Sequence, residues 1–213
     1  GVFSTQAEAE AANLMADNGN YFRGGDMHYV DQNGDHRIDS KDRVALGSAA
    51  PDFFGGFYTQ FKYKGFALGA EFSYSKGNMA YNAVRNQLEG MNTLGNQSIA
   101  VLNRWSLDGQ VTDMPRVQHN DPYRSTSFSE RWLEDASYLR MKSVTLSYSF
   151  NKTVLNFFRS GTLYVSGENL LTATKYLGLD PEFSYSYGEM SQGLDYAKMV
   201  QPKSVKFGVN LKF

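Results

Sequence analysis

The chain has 213 residues, room for one large domain or two small ones, and a formal net charge of -1. That balance excludes a general electrostatic attraction to nucleic acid or anionic lipid. No apolar run reaches the roughly 18 residues a transmembrane helix needs, but membrane β-barrels alternate lipid-facing and lumen-facing residues, so negative mean hydropathy does not exclude one. With 14 Tyr, 15 Phe, 20 Gly and only 5 Pro, the composition suits long twisted strands better than a helical bundle. Zero cysteines exclude disulfides and thiolate metal ligands, without settling the compartment.

Gly1-Val2-Phe3 is not a basic region leading into an apolar core, so the start is not a signal peptide. An export signal, if the protein has one, is expected outside these residues. Ser4 to Asp17 reads as a short helix: Thr5 followed by Glu8 fits a capping box, alanines favour helix, and Asn18-Gly19-Asn20 stops it. An acidic loop, Asp31 to Asp42, follows. From there the period is 2. Strands are predicted near 57–63, 66–74, 138–150, 161–170 and 201–213, with Lys64-Gly65 a tight turn. One face carries Phe57, Thr59, Phe61 and Tyr63, then Phe66, Leu68, Ala70, Phe72 and Tyr74. Later it carries Val144, Leu146, Tyr148 and Phe150, then Leu163 and Val165, and last Val205, Phe207, Val209, Leu211 and Phe213. Small and polar residues alternate with them.

This is the pattern of tilted membrane strands; the alternative is a soluble sandwich with half-buried strands. The connections discriminate. They alternate between short (Lys64-Gly65, about 151–160) and long (about 75–137, about 171–200), as periplasmic turns and outer loops do if Phe213 lies on the periplasmic side. The predicted fold is all-β: about five strands of a large antiparallel transmembrane barrel. Residues 1–56 form an extracellular region with the short helix and acidic loop, and 57–213 the strands and long loops. Five strands cannot close a membrane barrel, and open edges in lipid leave backbone groups unpaired at several kcal/mol each. The chain is therefore expected to be a fragment or to pair with other polypeptide.

The sharpest motif is Asp31 to Asp42. Asp31, Asn33, Asp35, Asp39 and Asp42 fall at positions 1, 3, 5, 9 and 12 of a calcium loop, Arg37 offers its carbonyl at position 7, and Ile38 is placed to anchor the loop inward. Two residues depart from the pattern: His36 stands where Gly normally takes positive φ, and Asp42 is shorter than the usual Glu. The competing reading is a solvated acidic turn. Calcium would stiffen the loop, not catalyse.

Several stretches resemble the SusC/RagA-type TonB-dependent transporters of Bacteroidetes outer membranes: Gly1 to Glu10, Gly25 to Asp35, Pro51 to Phe57, Trp132 to Tyr148, Val165 to Leu170, and Pro202 to Phe213. The resemblance spans nearly the whole chain in the family's order. It implies the C-terminal part of a 22-stranded barrel in the bacterial outer membrane, with a plug and TonB box upstream of these residues. Expected partners are the rest of the barrel, a SusD-like surface lipoprotein, TonB, the lipid bilayer and an oligosaccharide or peptide ligand. A C-terminal aromatic, here Phe213, is implied to be the tag for barrel insertion.

Aromatic residues at strand ends (Phe53, Phe54, Phe57, Tyr63, Phe66, Tyr74, Tyr148, Phe150, Phe213) are candidates for interfacial girdles. A second group, Tyr176, Phe183, Tyr185, Tyr187 and Tyr196, falls in the last long loop, where rings order the loop or stack on sugars. No enzyme signature occurs: His28, His36 and His119 lack metal-ligand spacing, and no nucleophile motif is present. The expectation is therefore an importer section that is not an enzyme. The alternative function is a secreted calcium-dependent adhesin or carbohydrate-binding sandwich, which would be soluble alone.

Overall fold

The computed structural model describes residues 1–151, 159–183 and 192–212. Phe213, Tyr185 and Tyr187 lie outside the described residues. Five long strands form one sheet: β1 Phe53–Tyr63, β2 Phe66–Lys76, β3 Tyr138–Asn151, β4 Ser160–Thr174 and β5 Ser204–Lys212. All neighbours are antiparallel and follow chain order, with β5 and β1 at the edges. Every predicted strand is present. β1 starts four residues earlier than expected, because Phe53–Gly56 continue the ladder opposite Ser73–Lys76. The β1–β2 hairpin closes through Lys64 (φ 43) and Gly65 (φ 87). Both angles are positive, as a two-residue turn matched to strand twist requires.

The chain divides into two compact units. One combines Gly47–Tyr81 with Glu134–Phe213 and holds the five-stranded sheet. Three short strands, Met79–Asn82 flanked by Leu133–Asp135 and Leu194–Asp195, form a separate small sheet. The other unit combines Gly1–Leu46 with Asn82–Leu133. Along the chain the first unit gives way to the second at 46/47. Most of the expected loop at 75–137 also belongs to a unit with its own core, because its apolar residues bury among themselves: Met91, Val101 and Met114 form one cluster.

In that unit, α1 spans Gln6–Ala12. Half of the expected capping box forms: Thr5 Oγ1 accepts from the Glu8 N–H at 3.0 Å, but the Glu8 carboxylate accepts from the Ser4 N–H, one residue before the cap, at 2.8 Å. The helix is shorter than predicted. Asn13 turns left-handed (φ 50), and its N–H closes onto Ala9 and Glu10. That cap releases Leu14 and Ala16 into a core with Phe3, Ala9 and Phe22, so burial overrides the propensity of the later residues. Asp26, with no exposed surface, accepts from Arg116 (2.7 and 3.2 Å), from the Arg23 N–H (2.8 Å) and from Gln118.

Candidate functional site: a two-faced sheet and an acidic loop

Register turns the alternation into two continuous faces. Reading across the sheet from β1 to β5, one row is Phe61, Leu68, Leu146, Val165 and Phe207, and the next is Tyr63, Phe66, Tyr148, Leu163 and Val209. The opposite face has Gln60, Gly69, Thr145, Ser166 and Lys206 in one row. The apolar face is bare: Phe207 is 81% exposed, Phe61 68% and Val205 59%. Burying a large apolar side chain contributes about 1.5–3 kcal/mol, so this wall forgoes of order 20 kcal/mol if water covers it. A soluble sandwich would lay a second sheet over such a face. None covers it among the described residues, which corrects the sandwich alternative.

Aromatic pairs gather at both ends of the apolar face. Tyr148 tilts against Phe66 (4.6 Å) at the hairpin end and Phe53 meets Tyr74 (6.2 Å) at the other, while Phe57–Phe72 (4.7 Å) stack near mid-strand. From Phe53 to Tyr63 the strand runs roughly 33 Å at about 3.3 Å per residue. At a tilt of roughly 40–45° this spans about 23–25 Å, the height of a barrel's apolar band. Phe54 does not join the girdle: the pleat puts it on the opposite face. Phe150 is nearly buried over Gly161.

The polar face is hydrogen-bonded within itself. Glu168 accepts from Ser204 at 2.9 Å and pairs with Lys206 across the β4–β5 ladder. Gly69 and Gly208 are needed here because the rings of Tyr58 and Tyr164 lie directly over them, in the space a Cβ would fill. Sequence reading missed a second cluster, Arg140, Lys142, Asp180 and Glu182. Its signal was available: apolar positions shift parity from Leu139 and Met141 to Val144 and Leu146. Register shifts around Lys142 produce that change.

The acidic loop closes end to end. Asp42 accepts from the Gln32 N–H (2.9 Å) and the Asp39 N–H (2.7 Å). Asp31 accepts from Gly34 and His36, each at 2.8 Å. Asn33 and Asp35 accept from the amides two residues on, at 2.9 Å. His36 takes the left-handed φ of 61 that a calcium loop demands at that position. Ile38 pairs with Ala16 and packs on the core of its unit. The carboxylates bend back on the loop's own amides, Asp39 caps Lys41, and Lys41 stands 3.8 Å from Asp35. No group of three or more His, Cys, Asp or Glu gathers as a metal site among the described residues. The His36 turn gives the loop its tight bend, and the carboxylates accept from the loop's own amides. Desolvation works against the Asp31 charge, but the His36, Gly34, Asp35 and Asn33 amides outweigh it and hold the carboxyl below its usual range.

No family model matches the chain. It is 32% identical over 197 residues to a TonB-dependent receptor of Formosa agariphila, covering 89% of this chain and 19% of that protein. The TonB-dependent receptor SusC of Bacteroides thetaiotaomicron is 26% identical over 188 residues, covering 87% and 17%. The solved RagAB peptide transporter superposes with a TM-score of 0.69 at 28% identity, over 83% of this chain and 19% of that one. Over most of its length the chain is similar to SusC/RagA-type TonB-dependent receptors. It spans about a fifth of the length of these relatives. SusC/RagA-type receptors reside in the bacterial outer membrane, and the five strands are a section of the receptor barrel. The unclosed sheet follows: among the described residues β1 and β5 each pair on one side only.

Proposed function

We propose that this chain is the C-terminal wall of a TonB-dependent importer for oligomeric nutrients, glycan or peptide, working with a SusD-like lipoprotein. The observation that carries the reading is the bare apolar face backed by a polar one over five strands in sequence order. The apolar side faces lipid, and the Tyr58, Glu168 and Lys206 side lines the interior through which a polar solute passes. The plug, the remaining strands and the TonB contact are supplied by the rest of the receptor. The role is transport, not catalysis. RagAB, a structural relative, is described as a peptide importer, which makes peptide the first ligand class to try. The test is binding and uptake of defined peptide and oligosaccharide pools by the full-length receptor with its lipoprotein. Saturable uptake of one class, dependent on the proton-motive force, is expected; uptake of neither would sink the importer reading.

The Asp31–Asp42 loop is proposed to take calcium through Asp31, Asn33, Asp35, the Arg37 carbonyl, Asp39 and Asp42. The end-to-end closure and the φ of His36 support this. Calcium would cross-link the loop's oxygens and hold Ile38 on its core.

A further inference from the structure

The described parts of the connection between β4 and β5 lie over the polar face. These limbs are 175–183 and 192–203. Arg140 lies opposite Ser73 and Thr172 and is 3% exposed. Its guanidinium pairs with Asp180 and, at 3.0 Å, with Glu182, while Nε donates to Thr172 Oγ1 at 3.1 Å. The extra residue at the β3 register shift is Lys142, whose Nζ sits 2.7 Å from both Glu182 oxygens. The bulge therefore lets a second cation reach Glu182.

Asp180 also joins the two limbs. It accepts from the Glu182 N–H at 2.9 Å and from the Gln201 N–H at 3.3 Å. Farther along, the buried Tyr176 hydroxyl donates to Asp195 at 2.6 Å, tying the limbs a second time. The cluster has two cations and two anions, so it needs no outside counter-charge. The buried Arg140–Asp180 pair adds little net stability, but it penalises any arrangement that leaves one charge unpaired. A surface loop in open water would have no use for it.

We infer that Arg140, Lys142, Asp180 and Glu182 form a clasp that pins the limbs 175–183 and 192–203 across the inner side of the wall. Only the word inner rests on the importer reading; the pinning does not.

The test is amide exchange, followed by mass spectrometry, on the full-length receptor in detergent. With Asp180→Asn, peptides covering 175–183 and 192–203 should exchange at least tenfold faster, while strand peptides 138–151 and 160–174 stay within twofold of the unaltered protein. Glu182→Gln, a milder change, should accelerate the same limbs about threefold and covers the case in which Asp180→Asn does not assemble. Limbs that exchange at unprotected rates before any substitution, or that ignore both substitutions, overturn the clasp. So does acceleration of limbs and strands together. An unaltered receptor with protected limbs but no heat-resistant folded band would defeat the barrel reading and leave the clasp standing.

Discussion

Asp26 accepts from one guanidinium twice, from a backbone amide and from Gln118, all without contact with water. Removing it leaves Arg116, stacked 5.0 Å from the Tyr123 ring, with no counter-charge at that position. Asp26→Ala should cost about 3–5 kcal/mol in the local stability of its unit. Amide exchange of Phe3 and Phe22 reads this directly; an unchanged rate would show that the pair is dispensable. His36 presents the reverse case, a side chain where the backbone wants none. At φ 61 it carries about 1 kcal/mol of strain, so His36→Gly should raise calcium affinity several-fold in a titration followed by calorimetry. No heat in either protein at millimolar calcium would eliminate the calcium proposal. The loop's pH dependence follows from Asp31. Its carboxyl lies below the unfolded value, so its contribution is complete above that value, near pH 4, and fades as pH falls through the lowered one. Exchange of the Gly34 and His36 amides should stay slow down to that region and accelerate below it.

At the scale of elements, β5 gives the tightest case. Val205, Phe207, Val209 and Leu211 share the bare face, and Lys206, Gly208 and Asn210 the other. A one-residue slip would put two lysines, Lys206 and Lys212, and an asparagine into lipid. Phe207→Lys should therefore destabilise the assembled barrel by about 2–4 kcal/mol, while Asn210→Lys should be tolerated. Equal amounts of heat-resistant barrel from both would mean the faces are misassigned. The strands were legible in the sequence because period-2 patterning depends only on which residues must avoid water. Their order was legible because short and long connections alternate. The Lys142 bulge and the Arg140 clasp were not read, since they depend on which distant carboxylates return to the strand. The end of α1 was missed for a similar reason: Asn13 caps it left-handed so that Leu14 reaches a core built from Phe3 and Phe22.

For the molecule as a whole, the account turns on where the apolar wall faces. Large side chains such as Phe61, Phe207 and Val209 lie uncovered, and a patch of this extent on a water-facing surface would drive association. In a bilayer the same residues meet acyl chains and their exposure costs nothing. Long connections at one end of the strands and a two-residue turn at the other fit a wall with a defined outside and inside. The most direct measurement is quenching by brominated lipid in the reconstituted full-length receptor, with a tryptophan placed at Phe207 or, separately, at Asn210. The account expects strong quenching of the added tryptophan at 207 and little at 210. Equal quenching at both, or quenching at 210 alone, would contradict the lipid-facing assignment.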